Sequence, residues 1–102
     1  MAVNNFKIQI LLRAELEIDE AATYYESKSK GLGKLFYLEF KSYKKTLESI
    51  PFFEEKYNTV RTLPLNKFPY TIHFTVDETH NIVFILAVTS NYQNPNTTRI
   101  KL

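Results

Sequence analysis

The chain has 102 residues, no cysteine, two histidines and a formal net charge of +2. That length fits one domain, residues 1–102, and a chain of roughly 100 residues buries enough surface to need neither disulfides nor a structural metal. Composition excludes thiol chemistry and cysteine-held zinc, and neither a metal nor a cofactor is expected.

The opening stretch "FKIQILL", residues 6 to 12, alternates at first, with Phe6, Ile8 and Ile10 on one face and Lys7 and Gln9 on the other, and reads as a strand. A helix comes next, from about Ala14 to Ser27, with Ala14, Ile18, Ala21, Ala22 and Tyr25 spaced as one buried face. Acidic residues in its first turns suit the positive end of a helix. "SKSKGLGK" interrupts it, and holds the only two glycines, Gly31 and Gly33, at a helix–helix turn. The second helix runs from about Leu32 to Ser49, striped by Leu32, Leu35, Phe36, Phe40, Tyr43, Leu47 and Ile50, and Pro51 ends it.

After a charged link, "FEEKYN", the chain turns strand-rich. Tyr57 to Leu63 is one strand, closed by Pro64. Tyr70 to Val76 is a second, with Tyr70, Ile72, Phe74 and Val76 inward and Thr71, His73 and Thr75 outward. "DETHN" is a hairpin loop, and Ile82 to Val88, apolar on both faces, is a central strand. The order β-α-α-β-β-β gives an α+β fold, an N-terminal helical hairpin packed on a mainly antiparallel sheet. The tail "TTRIKL" alternates and fits either an added edge strand or a free end.

No apolar run approaches the ~18 residues of a membrane span, and acidic residues succeed the first apolar stretch without a cleavage motif, so a cytoplasmic protein is expected. Charge is uneven along the chain. Glu15, Glu17, Asp19, Glu20 and Glu26 crowd the first helix; Lys28, Lys30, Lys34, Lys41, Lys44 and Lys45 dominate the turn and the second helix. Two solvated helix faces that attract each other are the simple expectation. The alternative is a basic surface facing an acidic partner or a phosphate backbone.

Three stretches carry a resemblance that covers nearly the whole chain. "AELEIDEAATYYESKSKGLGKLF" has paired tyrosines late in a first helix, "VRTLPLNKFPYTIHFTVD" sets an arginine before a Phe-Pro-Tyr strand opening, and "IVFILAVTSNYQNP" runs a core strand into a polar loop closed by proline. Together they resemble the RelE/ParE superfamily, the toxins of type II toxin–antitoxin pairs often labelled plasmid stabilisation proteins. The chain departs from that pattern at the last loop. Many members carry a histidine near Ser90 or Asn91 and an arginine at Gln93; here Ser90, Asn91, Tyr92, Gln93 and Asn94 supply neither imidazole nor cation. In the ribosome-dependent RNA-cleaving branch, a ribose 2′-OH attacks its neighbouring phosphate. Each acid or base is worth about 10²–10⁴ in rate, and a donor to the developing charge about 10²–10³. Amides donate hydrogen bonds but do not shuttle protons near neutrality.

The resemblance therefore implies a toxin neutralised by a cognate antitoxin, on the ParE-like side, where DNA gyrase is inhibited by binding; such a protein is not itself an enzyme. The alternatives are a RelE-like ribosome-dependent mRNA endonuclease and a degenerate, non-toxic binding module of the same fold. Arg61, Lys67 and Tyr92 are the catalytic candidates for the nuclease. Arg61, Lys67, Ser90, Asn91, Tyr92 and Gln93 are the candidates for contact with a target, gyrase or ribosome. His73, facing away from the inward set, is expected in solvent or against a helix. Leu12, Leu16, Tyr37 and Leu38 fall off the buried stripes and are expected to form one apolar groove for an antitoxin segment that folds as it binds.

Overall fold

The alternating stretch that opens the chain becomes β1 (Lys7–Ile10) in a computed structural model that describes residues 5–53 and 55–92. Next come α1 (Leu12–Lys28), α2 (Leu32–Ser49), β2 (Glu55–Tyr57), β3 (Val60–Pro64), β4 (Tyr70–Asp77) and β5 (Ile82–Ser90). The strands make one sheet in the order β1-β5-β4-β3-β2. β1 runs parallel to β5 and every other pairing is antiparallel. The α+β architecture with its helical hairpin on a mainly antiparallel sheet is thus the one expected, with one more short strand.

Burial of the helical stripes against one sheet face builds the core. Ala14, Ile18, Ala21 and Ala22 of α1 and Phe36, Phe40 and Leu47 of α2 meet Ile72 and Phe74 of β4 and Val83, Ile85 and Val88 of β5. Each large apolar side chain so buried stabilises the fold by about 1.5–3 kcal/mol relative to exposure. Around Phe36 the packing is aromatic: Phe68 lies 5.1 Å and Tyr70 5.3 Å from its ring centre, both edge-on, and Tyr25 lies 4.8 Å from Phe68.

The two glycines serve different needs. Gly31 has φ +89°, the left-handed region, and stands at the cap of α2. Gly33 is a close-approach residue: a Cβ there would lie 2.5 Å from the Ala22 carbonyl oxygen. No side-chain cap is supplied by Gly31 itself, and the Glu26 carboxylate takes that part, accepting the N–H groups of Gly31 at 3.0 Å and Gly33 at 3.0 Å.

Several expectations are corrected. The strand placed at Tyr57 to Leu63 divides, because Asn58 (φ 44°) and Thr59 (φ 65°) form a tight turn between β2 and β3. The first helix starts two residues early, at Leu12, and the last strand continues through Thr89 and Ser90. Leu35 and Ile50 leave the buried stripe of α2 and face outward, since the sheet accepts a narrower band than the sequence offers. The tail "TTRIKL" lies outside the described residues.

Candidate functional site

The final pair of the β4–β5 ladder joins Tyr70 to Ser90, and the mouth of the sheet opens there. Its backbone is held by hydrogen bonds: Asn91 N donates to Pro69 O at 2.8 Å, and Tyr92 N donates to Ser90 Oγ at 3.2 Å. Thr71 Oγ1 donates to Asn91 Oδ1 at 2.6 Å. Ser90 and Asn91 therefore each spend a side-chain oxygen on the loop itself. Tyr92, 86% exposed, carries its ring into solvent. Gln93, Asn94 and Pro95 lie outside the described residues.

The two cations expected beside this mouth part company. Lys67 stands in the turn between β3 and β4, at the same end of the sheet, with its backbone N–H fixed to Glu39 Oε2 of α2 at 2.8 Å. Arg61 pairs in register with Phe74, four residues along β4 from Tyr70, or roughly 13 Å away at strand rise. Its guanidinium lies 5.7 Å over the Phe52 ring and its Nη2 lies 3.5 Å from Glu55 Oε2, with 16% of the side chain exposed. Its Nε is buried without a hydrogen-bond partner. Arg61 thus belongs to the β2 side of the molecule, and the set of Arg61, Lys67 and the mouth residues is not one site.

His73 corrects a second expectation. It is not in solvent: it is 6% exposed, on the sheet face opposite the hydrophobic cluster, in register with Thr62 and Ala87. Its Nδ1 lies 2.9 Å from the Tyr57 hydroxyl and its Nε2 lies 2.8 Å from Thr89 Oγ1. Burial pushes its pKa down to about 4, and the charge of Arg13 acts in the same direction. A neutral imidazole has one N–H to give and one lone pair to accept with, and two hydroxyls satisfy both. Thr71 is the register partner of Thr89, so a hydrogen-bonded line, Tyr57–His73–Thr89, ends beside the Thr71–Asn91 pair at the mouth. Tyr57 and Thr89 escape sequence reasoning because the short β2 is invisible in it and Thr89 reads as loop. The alternation Thr71, His73, Thr75 was the available signal.

On the helix side the rim is phenolic. Burial raises the pKa of Tyr25 and of Tyr70 above 10.0, and neighbouring tyrosines add to the shift. Tyr24 is exposed and receives the Lys28 ammonium 5.0 Å from its ring centre. The raised pKa values of Tyr25 and Tyr70 keep both phenols protonated at neutral pH. Among the described residues no cluster of histidines and carboxylates could hold a metal ion, and no helix is long and apolar enough to cross a membrane.

Leu12, Leu16, Tyr37 and Leu38 are all exposed, yet they do not line one groove. Leu16 shares a shallow depression on the outer face of α1 with Glu20 and Tyr24. Tyr37 sits at the seam of the helices, its hydroxyl donating to Asp19 Oδ1 at 2.6 Å. Leu38 faces a separate cleft with Leu35, Tyr43 and Phe68. A single step along a helix turns a side chain by about 100°, which separates Tyr37 from Leu38.

No family model and no curated protein matches this sequence. Solved structures do match. A chain of the chromosomal ParDE toxin–antitoxin system of P. aeruginosa superposes with a TM-score of 0.70 at 18% identity, covering 85% of this chain and 97% of that one. A chain of the RelBE2 toxin–antitoxin complex of Mycobacterium tuberculosis gives 0.61 at 11% identity, covering 90% and 98%. A chain of the RelE–RelB complex of Pyrococcus horikoshii gives 0.58 at 11% identity, covering 88% and 99%. The fold is RelE/ParE-like.

Proposed function

We propose that this chain is the toxin subunit of a type II toxin–antitoxin pair, cytoplasmic, neutralised by a cognate antitoxin, and that it acts on the ParE-like side by attachment to DNA gyrase. The fold shared with ParDE and RelBE complexes supports the pair. The single observation that carries the choice of branch is the separation of charge from proton chemistry. Arg61 is turned onto Phe52 and Glu55, while the imidazole nearest the mouth is locked between two hydroxyls and kept neutral. A base with a pKa near 4 is a weak proton acceptor, and at neutral pH it holds no proton to give a leaving group. The exposed Tyr92 ring and the phenols behind it suit recognition of a macromolecular surface.

The test is expression of the chain with and without an antitoxin encoded beside it. Growth arrest relieved by that neighbour, with gyrase–DNA cleavage complexes accumulating and ribosome-bound message left whole, is the expected result. Normal growth at high expression would leave a module that binds a partner without poisoning a target. The RelE-like reading retains one specific support, the Tyr57–His73–Thr89 line leading to the mouth. Purified protein that cuts ribosome-bound message, and loses the cut on His73→Gln, would establish it instead.

A further inference from the structure

The outer side of α2 carries a row of cations. Lys34, Lys41 and Lys45 stand at i, i+7 and i+11, and at about 100° per residue they fall within about 20° of one line along the helix. That line lies opposite the buried Phe36, Phe40 and Leu47, and all three lysines are exposed. At helical rise it is roughly 16 Å long. Lys44 joins it from the side, bordering with Lys41, Ser42 and Lys45 a depression of about 460 Å³.

The charge of this face is one-sided. The helix holds four lysines, no arginine and two glutamates, and one of these, Glu39, is engaged by the Lys67 N–H. Among the described residues no ion pair joins these lysines to a carboxylate. The outer face of α1 is acidic instead, with Glu15, Asp19 and Glu20 exposed. A chain of net charge +2 thus gathers its positive potential on α2 and turns a repelling side elsewhere, which orients any polyanion that approaches.

An exposed lysine gains little from a lone carboxylate, because water screens the pair and a long side chain must be held still. A duplex differs. It carries one phosphate charge per about 1.7 Å of axis under a condensed layer of counterions, and each lysine that meets a phosphate releases a counterion. One strand alone has about half that charge density. A row of exposed ammoniums, without an arginine to fork onto a carboxylate, fits the denser polymer.

We infer that the Lys34–Lys41–Lys45 face of α2 holds the phosphate backbone of duplex DNA without reading its sequence. Contacts to phosphate position a protein on the duplex and carry no base information. That this DNA is the segment gyrase holds rests on the gyrase reading above; the face and its chemistry do not.

The test is fluorescence anisotropy of the full chain with a labelled duplex of about 20 base pairs over a series of salt concentrations. The logarithm of affinity falls linearly with the logarithm of salt, with a slope of about −3 for three to four phosphate contacts, and two duplexes of unrelated sequence bind alike. The double variant K41Q/K45Q weakens binding roughly ten-fold or more at low salt and flattens the slope by about 2. Lys7→Gln, on the sheet face turned away from Phe6 and Ile8 and the core, leaves the slope unchanged. Thermal midpoints near that of the parent separate lost contact from lost fold, with K34Q/K41Q replacing a double variant that fails this check. A slope near zero, an equal loss on Lys7→Gln, tighter binding of a single-stranded RNA of the same length, or displacement of the duplex by an acidic peptide of matched charge overturns the inference. Neither gyrase nor growth arrest enters the assay, so its failure leaves the toxin reading standing, and failure of that reading leaves the measured binding standing.

Discussion

The Glu17 carboxylate of α1 accepts the backbone N–H of Val88 at 2.8 Å through Oε1, while its Oε2 takes Arg13 Nε at 3.1 Å. β1 pairs with β5 only from Ile82 to Ile85, so among the described residues no strand lies beside the outer edge of β5 beyond that point. A side chain from the helix satisfies part of that edge, at the level of the ladder that leads to the mouth.

Replacing Glu17 by alanine leaves the part-buried Val88 N–H without an acceptor and Arg13 without its partner. An unsatisfied buried donor costs about 1–3 kcal/mol, and the surface ion pair adds little to that. Glu17→Gln keeps an acceptor oxygen and loses less than Glu17→Ala. Urea unfolding of the two variants against the parent measures both, and equal losses would assign the effect to charge and not to the ladder.

This contact shows how far sequence patterns reach and where they stop. The stripe of Ala14, Ile18, Ala21 and Ala22 was legible because burial repeats at the helical period. Glu17 reads there only as one of five acids on a solvated helix, since its partner is a backbone group far along the chain. The same limit hid the site. The alternation of Thr71, His73 and Thr75 told that His73 leaves the core face. It could not tell that β2, a three-residue strand inside an apparently charged link, brings the Tyr57 hydroxyl to it. The surroundings of Arg61 were illegible for a related reason: Phe52 and Glu55 come to it only through the fold.

The two glycines predict opposite rescue patterns. Gly31→Ala meets no neighbour within 4 Å but must hold φ near +89°, a strain of about 1–2 kcal/mol that asparagine tolerates better. Gly33→Ala has an ordinary φ and gains about 1 kcal/mol of helix propensity, yet its methyl meets the Ala22 carbonyl oxygen at 2.5 Å. Overpacking of that kind costs about 1–3 kcal/mol and forces the helices apart. Thermal unfolding should show Gly31→Asn closer to the parent than Gly31→Ala, and no such recovery for Gly33→Asn.

His73 makes stability depend on pH in a defined window. Its folded pKa of about 4 lies below the ordinary histidine value of 6.5, so the unfolded chain binds more protons between those limits. Stability is therefore whole above pH 6.5 and falls as the pH drops toward 4, by about 3 kcal/mol in all if this group acted alone. Other carboxylates titrate near the lower limit, and the difference between parent and His73→Gln isolates the imidazole. That difference should slope between pH 6.5 and 4 and be flat above 7; a slope above 7, or none anywhere, would contradict a buried neutral ring.

Tyr92 separates attachment from proton transfer most directly. Its ring is exposed at the mouth, and its backbone is tethered to Ser90, so neither its removal nor loss of its hydroxyl should affect the core. If the ring serves as a contact surface, Tyr92→Phe keeps most of the growth inhibition and Tyr92→Ala loses it, since stacking area resides in the ring. If the hydroxyl donates a proton to a leaving oxygen, both substitutions lose activity alike, by about 10²–10⁴ in rate. Arg61→Ala supplies the companion measurement. The guanidinium is largely buried against Phe52 and Glu55, so its loss should lower stability by about 1–3 kcal/mol through lost packing and pairing, and spare toxicity. Dose-matched growth curves of the three variants, read beside their unfolding midpoints, decide between a surface that holds its target and one that cuts it.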